Sequence, residues 1–423
     1  MIAPVQPGAG HEFADIDLRS VVSALSDALD LTGVNDVFHG KRVGMMAAEI
    51  GRTLGWPAED TDRLFDAGLL HDCGVSTTYL HRRLVVELDW DGAEAHSLAG
   101  EQLLRACAPL ADFAPLVRWH HTHWSVLATS GCDERTARQA NLVFLADRAD
   151  TLAAPHLSDS ELLLHTRGIR DRLAAQSGRM FEPELVQAFL EASRHGAFWL
   201  QQEPRAIASY LAAMARRRKP VPATAATLHA VAMLFSRVVD AKSPFTTEHS
   251  AGVARVACLL AAAAGIPPER IVRLEIAGLL HDIGKLRIPD EILDKRGALS
   301  ADERQVMTSH SFETWQILRN IDGFEDIAVW AAFHHEEPGG GGYPFGLGAA
   351  ALSPEARILR VADVFQAMIQ DRPYRASVDP AAIGEHIGML ARNGQVDADA
   401  HRLLAANLAD AARLARAGAA APA

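Results

Sequence analysis

The chain of 423 residues is short of cysteine, of aromatics and of positive charge. Its four cysteines form no CxxC pair, which argues against a disulfide framework and leaves no thiolate set for a metal. Aromatics make up 6% of the chain beside abundant alanine and leucine, and no run of alternating strands is visible, so helix is the expected main element. Lys and Arg number 41 against 53 Asp and Glu, a formal net charge of −12. Binding to DNA or RNA is therefore not expected, and an anionic substrate would need local positive charge from metal ions or a few placed Lys and Arg. No apolar run approaches the roughly 20 residues that span a bilayer. The N-terminus, MIAPVQPGAGHEF, has neither a basic n-region nor a long apolar h-region. A cytoplasmic protein without a membrane segment is expected.

What the chain does have is a repeat. AGLLHDCG begins at Ala67 and AGLLHDIG at Ala277, an offset of 277 − 67 = 210. His39 and His249 are also 210 apart, and His96 and His310 are 214 apart. The doublets His120-His121 and His334-His335 are again 214 apart, and Asp147 and Asp363 are 216 apart. An ordered set of five His and two Asp occurs twice. The period is far too long for a solenoid and marks a domain duplication. The first copy is read over residues 15–200 and the second over 225–400, with ARRRKPVPAT (215–224) as a solvated linker and 411–423 as an Ala-rich tail that extends a helix before fraying.

Both copies read as all-α. Val253, Val256 and Leu260 follow His249 at i+4, i+7 and i+11, one face of a helix that Thr246 or Thr247 could cap. Ser300 to Glu303 is a capping box before His310, and Ser353-Pro354 supplies a cap and an N1 proline before Asp363. Ser158 to Glu161 repeats the capping signal in the first copy. Each copy should be a helical bundle with polar ligands projecting inward.

In the second copy the candidate ligands are His249, His281, Asp282, His310, His334, His335 and Asp363. This set is too large for one tetrahedral ion and suits two divalent ions with Asp282 bridging. With no thiolate, iron, manganese, nickel and zinc all remain open. Two ions about 3.5–4 Å apart lower the pKa of a water and neutralise an attacked phosphate, so the favoured reaction is phosphate-ester hydrolysis. Lys285 lies three residues after Asp282, and a continuing helix would place it on the same side as His281 and Asp282. Cys73 and Cys258 read as small buried apolar residues. Glu336 is expected either to orient a ligand histidine or to sit at a solvated helix end.

His249, HDIGK (281–285), His310, HHE (334–336), GYP (342–344), Asp363 and DRPYR (371–375) resemble the HD-GYP family of the HD superfamily of metal-dependent phosphohydrolases, over roughly residues 229–400. The resemblance implies a helical fold, the seven ligands above, and divalent metal ions with iron or manganese foremost. Trinuclear members carry an acidic residue four positions before the first histidine. Phe245 stands there in this chain, so two ions are expected. The implied reaction is hydrolysis of cyclic di-GMP to pGpG and on to GMP, with 3′,3′-cyclic GMP-AMP as the alternative substrate. Asp282 and Lys285 would be catalytic. Lys285, Arg372 and Arg375 would hold phosphate, and Gly342, Tyr343 and Pro344 would wall the substrate cleft, with Tyr343 against a guanine. The resemblance also admits signalling proteins such as diguanylate cyclases as partners, a homodimer, and a catalytically weak interaction module as the reading from a different class.

Gly339 stands where family members usually carry Asp or Asn, which suggests a looser loop. Restoring Asp there is expected to lower KM more than it raises kcat. The first copy keeps His39, His71, Asp72, His96, His120, His121 and Asp147 but has Val75 in place of the lysine and no GYP. It is read as a metal cluster that does not hydrolyse the same substrate and serves regulation or dimer formation, or else as a purely structural histidine cluster.

Overall fold

The computed structural model describes residues 13, 15–32, 38–75, 77–90, 92–157, 161–243, 248–370 and 377–417. Several helices begin where the sequence signals them. Ser300 Oγ accepts the amide of Glu303 at 3.2 Å, and the Glu303 carboxylate accepts Ser300 N at 2.7 Å, starting the helix Ala301–Leu318. Ser353 caps Pro354–Ile369 through the amide of Ala356. In the first copy the helix Leu162–Ala174 begins behind Glu161 with no side-chain cap. Ser158, Thr246 and Thr247 lie outside the described residues.

The helix carrying the first histidine starts in the same unusual way in both copies. Phe38, before His39, has φ 83°, and Glu248, before His249, has φ 59°. A left-handed non-glycine residue costs roughly 1–2 kcal/mol. In the first copy Asp30 supports the turn by accepting Phe38 N at 2.9 Å and Gly40 N at 3.1 Å. Asp240 stands at the same offset, 240 − 30 = 210, and accepts from Ser250 Oγ at 3.1 Å.

The fold is all-α, and pairing outside helices among the described residues is confined to isolated bridges. The chain forms two compact units, one of Leu29–Pro220 and one that joins the residues up to Ala28 with those from Val221 onward. In the first unit His39–Thr53 packs on Ala58–Leu70 and on Glu134–Ala153, around Met46, Ile50, Leu64, Phe144, Phe181, Phe189 and Trp199. In the second, His249–Ala263 packs on Pro268–Leu280 and Pro354–Ile369, with Val253, Val256, Leu260, Leu274 and Phe365 fully buried.

The compact units reach beyond the expected copies at two places. The first copy was expected from residue 15, yet the segment before Ala28 belongs to the second unit. Leu18 N donates to Val221 O and Ala223 N to Ile16 O, each at 2.9 Å, and Arg273 stacks over Phe13. The 215–224 segment carries the division between the units, at Pro220 and Val221, and is exposed over most of its length as expected of a connector, but it is held at both ends. The helix Pro204–Arg217 runs into it, Arg217 pairs with Asp62, and Arg218 forks onto Asp66 at 2.8 and 3.2 Å. Its residues Val221 and Ala223 then make the pairing just described. The second unit runs on past residue 400. The helix Leu408–Arg416 buries Ala411, Ala412 and Ala415, and Leu414 O accepts from Arg255 at 2.9 Å. The small alanine side chains read as low complexity in the sequence are what pack this helix closely.

Candidate metal centres

In the second unit the helix Pro268–Leu280 stops one residue before His281, and Ile283–Arg287 continues as a tighter 3₁₀ turn rather than as α-helix. Lys285 still returns to the site, with Nζ 2.5 Å from Asp282 Oδ2. Gly284 permits the turn because a Cβ there would run into the carbonyl of His310. Gly74 meets His96 in the same way in the first copy.

Three of the five histidines are set by their own helix. Nδ1 of His281 donates to Gly278 O at 2.7 Å, that of His310 to Met307 O at 2.6 Å, and that of His334 to Ala331 O at 2.6 Å. Each bond fixes the proton on Nδ1 and leaves the Nε2 lone pair facing the centre, the tautomer a metal ligand needs. Asp282 stands between two groups of donors. Its Oδ2 is 3.2 Å from His281 Nε2 and 3.9 Å from His249 Nε2, while Oδ1 is 3.5 Å from His310 Nε2 and 3.7 Å from His334 Nε2. Asp363 Oδ1 lies 3.2 Å from His249 Nε2, and His335 joins His310 and His334 in one converging group. His281 Nε2 and Asp282 Oδ1 are buried with no hydrogen-bond partner among the described residues. Orphaned acceptors that converge in this way fit divalent cations.

The electrostatics agree with such a site. Burial alone would raise Asp282, but His281, Lys285 and His310 hold it well below the carboxylate range. Asp363 is likewise held down, against burial, by His249 and His281. Burial pushes His310 down to about 4 and lowers His334 and His335 well below the ordinary histidine value, so these rings stay neutral.

Glu336 neither orients a histidine nor sits in solvent. It is 1% exposed, and its two oxygens accept Phe345 N and Leu347 N, each at 2.7 Å. It thereby ties the loop after the histidine doublet to the site. Gly342 crosses so close to the backbone of Glu336 and Glu337 that no Cβ fits. The Tyr343 ring packs 4.7 Å from His335 at 30°, so one of its faces is taken by that histidine. Pro344 follows it across a cis peptide bond. The loop is not slack at Gly339 either, because Gly339 N donates to Gly394 O at 2.8 Å and Ala349 N to Pro338 O at 2.9 Å. Phe245, Arg372 and Arg375 lie outside the described residues.

The first unit assembles the same pattern. His39, His71 and Asp147 form one converging group, and Asp72, His96, His120 and His121 form another. His71 and His120 donate Nδ1 to Gly68 O at 2.7 Å and Val117 O at 2.6 Å, and burial lowers His120 to about 4, as it does His310.

Sequence reasoning missed several polar partners here. Asp150 accepts from His39 Nδ1 at 2.7 Å and from Arg42 at 2.6 and 2.9 Å. Burial opposes ionisation of Asp150, yet Arg42 and His39 hold it down to about 2. Burial would lower His39, but Asp150, with Asp147 and Asp72, raises it to about 10. The second unit has Gly252 and Gln366 at the corresponding offsets of 210 and 216, and there His249 Nδ1 meets Gln370 at 3.1 Å. Arg148, beside Asp147, has Val364 as its counterpart. Extending the offset comparison beyond the ligands would have found Asp30 and Asp240.

Two helical bundles, each closing on a His-Asp cluster, define a tandem HD-domain architecture. Residues 37–154 and 233–400 each match a family described as HD domain. The chain is 37% identical over 373 residues to 3'3'-cGAMP-specific phosphodiesterase 1 of Vibrio cholerae serotype O1, covering 86% of this chain and 85% of the relative. It is 38% identical over 142 residues to the cyclic di-GMP phosphodiesterase response regulator RpfG of Xanthomonas campestris pv. campestris, covering 33% of this chain and 38% of that one. In fold it is similar to the crystal structure of a cyclic GMP-AMP-specific phosphodiesterase of V. cholerae, with a TM-score of 0.63 at 23% identity, over 93% of this chain and 98% of that chain. The chain belongs to the HD-GYP family, with two HD domains in tandem.

Proposed function

We propose that the second unit hydrolyses a phosphodiester bond of a cyclic dinucleotide, and that 3′,3′-cyclic GMP-AMP is the preferred substrate. The observation that supports the chemistry best is Asp282, whose two oxygens face two separate groups of imidazole donors. His249, His281 and Asp363 would hold one divalent ion, His310, His334 and His335 the other, and Asp282 would bridge them. A pair of ions bound there supplies a water ionised at neutral pH and charge to offset the phosphoryl oxygens. Lys285, 19% exposed at its side chain, reaches the mouth of the site and donates to a phosphate oxygen. Tyr343 and Pro344, tied down through Glu336, orient the dinucleotide beside His335. Arg372 and Arg375 are proposed as further phosphate contacts.

The choice of cyclic GMP-AMP over cyclic di-GMP reverses the order expected from the motifs alone. It rests on similarity that runs through both halves of the chain to an enzyme named as specific for cyclic GMP-AMP, whereas the match to the named cyclic di-GMP enzyme covers one third of this chain. That second match keeps cyclic di-GMP as the second reading. Turnover of the two compounds by anaerobically purified, metal-analysed full chain tests the proposal. A higher kcat/KM for cyclic GMP-AMP, lost in His281→Ala, is expected. A higher value for cyclic di-GMP overturns the substrate choice, and full activity in His281→Ala overturns the site.

A further inference from the structure

The two units differ in how a cation meets their ligands. In the second unit Lys285 sits on Asp282, the carboxylate between the donor groups. In the first unit Val75 occupies that place, buried in an apolar cluster with Leu84 and Ala93, against which Leu80 and Trp90 pack. The cation has moved to the other carboxylate. Arg148, 3% exposed, forks onto Asp147 Oδ2 at 3.0 and 2.7 Å, and its remaining terminal nitrogen donates to Leu84 O and Glu87 O, both at 2.8 Å. It thus ties a ligand carboxylate to the segment that runs over the cluster. The cavity left among Leu84, Trp90, His121, Phe144 and Arg148 is about 10 Å³, at most one water.

The ligands themselves are arranged alike, so the placed cation is what separates the two units. In the first unit Asp72, His96, His120 and His121 converge as a four-donor group. Asp72 Oδ1, His96 Nδ1 and His121 Nε2 are buried there without a hydrogen-bond partner among the described residues. In the second unit Asp282 meets the matching histidines in the same way, its Oδ1 3.5 Å from His310 and 3.7 Å from His334, but Lys285 engages its Oδ2.

We infer that the first cluster is a structural metal centre in which Arg148, by clamping the ligand Asp147 to the overlying segment, holds the metal longer than the second cluster does. The inference rests on the reading that the His-Asp clusters hold divalent ions. Arg148 acts through Asp147 and the overlying segment, not on substrate.

The test is chelation of the full-length, metal-loaded protein, with retained metal measured by mass spectrometry over time. The wild type should lose metal in two phases, a fast pool absent from His281→Ala and a slow pool absent from His120→Ala. Arg148→Met should keep the slow pool but release it about 10-fold faster, the scale of a lost ligand-orienting partner. Unchanged metal content in His120→Ala overturns the reading that this cluster binds metal. A single phase in the wild type, with His120→Ala losing metal, overturns the structural centre alone. A slow phase unchanged in Arg148→Met, with circular dichroism as for wild type, overturns the clamp. The wild-type phases decide the structural centre even if Arg148→Met does not fold.

Discussion

Lys285 holds its ammonium 2.5 Å from Oδ2 of Asp282, the carboxylate that faces both donor groups of the second unit. A cation in that place competes weakly with metal for the carboxylate and leaves a donor at the opening. Lys285→Met should therefore lower kcat/KM about 100-fold, as loss of one preorganised donor does. Metal content should be unchanged or higher. Parallel loss of metal and activity would instead make Lys285 a support for the ligands.

Glu336 accepts two backbone amides of the loop that carries Tyr343. In Glu336→Gln the new NH₂ group faces an amide donor, and a buried unmet charge-assisted bond costs about 1.5–3 kcal/mol. The loop should shift while the histidines keep their own backbone bonds. KM should rise at least severalfold with metal content intact. Loss of metal at constant KM would tie Glu336 to the ligands rather than to the loop.

Gly339→Asp answers whether this loop lacks an anchor. The sequence suggested slackness, but Gly339 N already bonds Gly394 O, and a Cβ at 339 would lie 3.1 Å from that oxygen. The substitution crowds a backbone carbonyl that has little room to move. KM should stay level or rise, and Tm should fall by a few degrees. A lower KM at unchanged kcat would restore the expectation drawn from the family pattern.

The ligand ladder was legible because each ligand keeps its type and order, so a fixed offset exposes it. His249, His281 and Asp363 needed no structure to be paired with His39, His71 and Asp147. Chain polarity and helix caps were legible for the same local reason, as at Ser300 and Ser353. What stayed hidden depends on contacts between distant segments. Nothing near Glu336 in the chain says that its carboxylate turns back to Phe345 and Leu347. Arg148 looks like one more helix arginine until Leu84 and Glu87 arrive from another element. The 3₁₀ turn after Asp282 was missed because helical spacing was extrapolated through Gly284, whose missing side chain lets the His310 helix approach.

Acid should act on the metal-free protein through its buried neutral histidines. Burial lowers His310 from 6.5 to about 4. A histidine depressed in the folded state stabilises the fold fully above its unfolded pKa, and that contribution is lost as pH falls from about 6.5 toward 4. The loss amounts to about 3 kcal/mol for such a shift. His39 and His281, raised by their carboxylates, act in the opposite sense, so the whole-protein profile mixes the two. The clean measurement is a difference. In chelator-treated protein, His310→Gln should be less stable than wild type at pH 7 in urea unfolding of the second unit. That penalty should shrink by about 3 kcal/mol when the pH reaches 4.5 or below. A penalty that is constant with pH would mean that His310 takes up its proton at the same pH folded and unfolded, so that burial would not be what keeps the ring neutral.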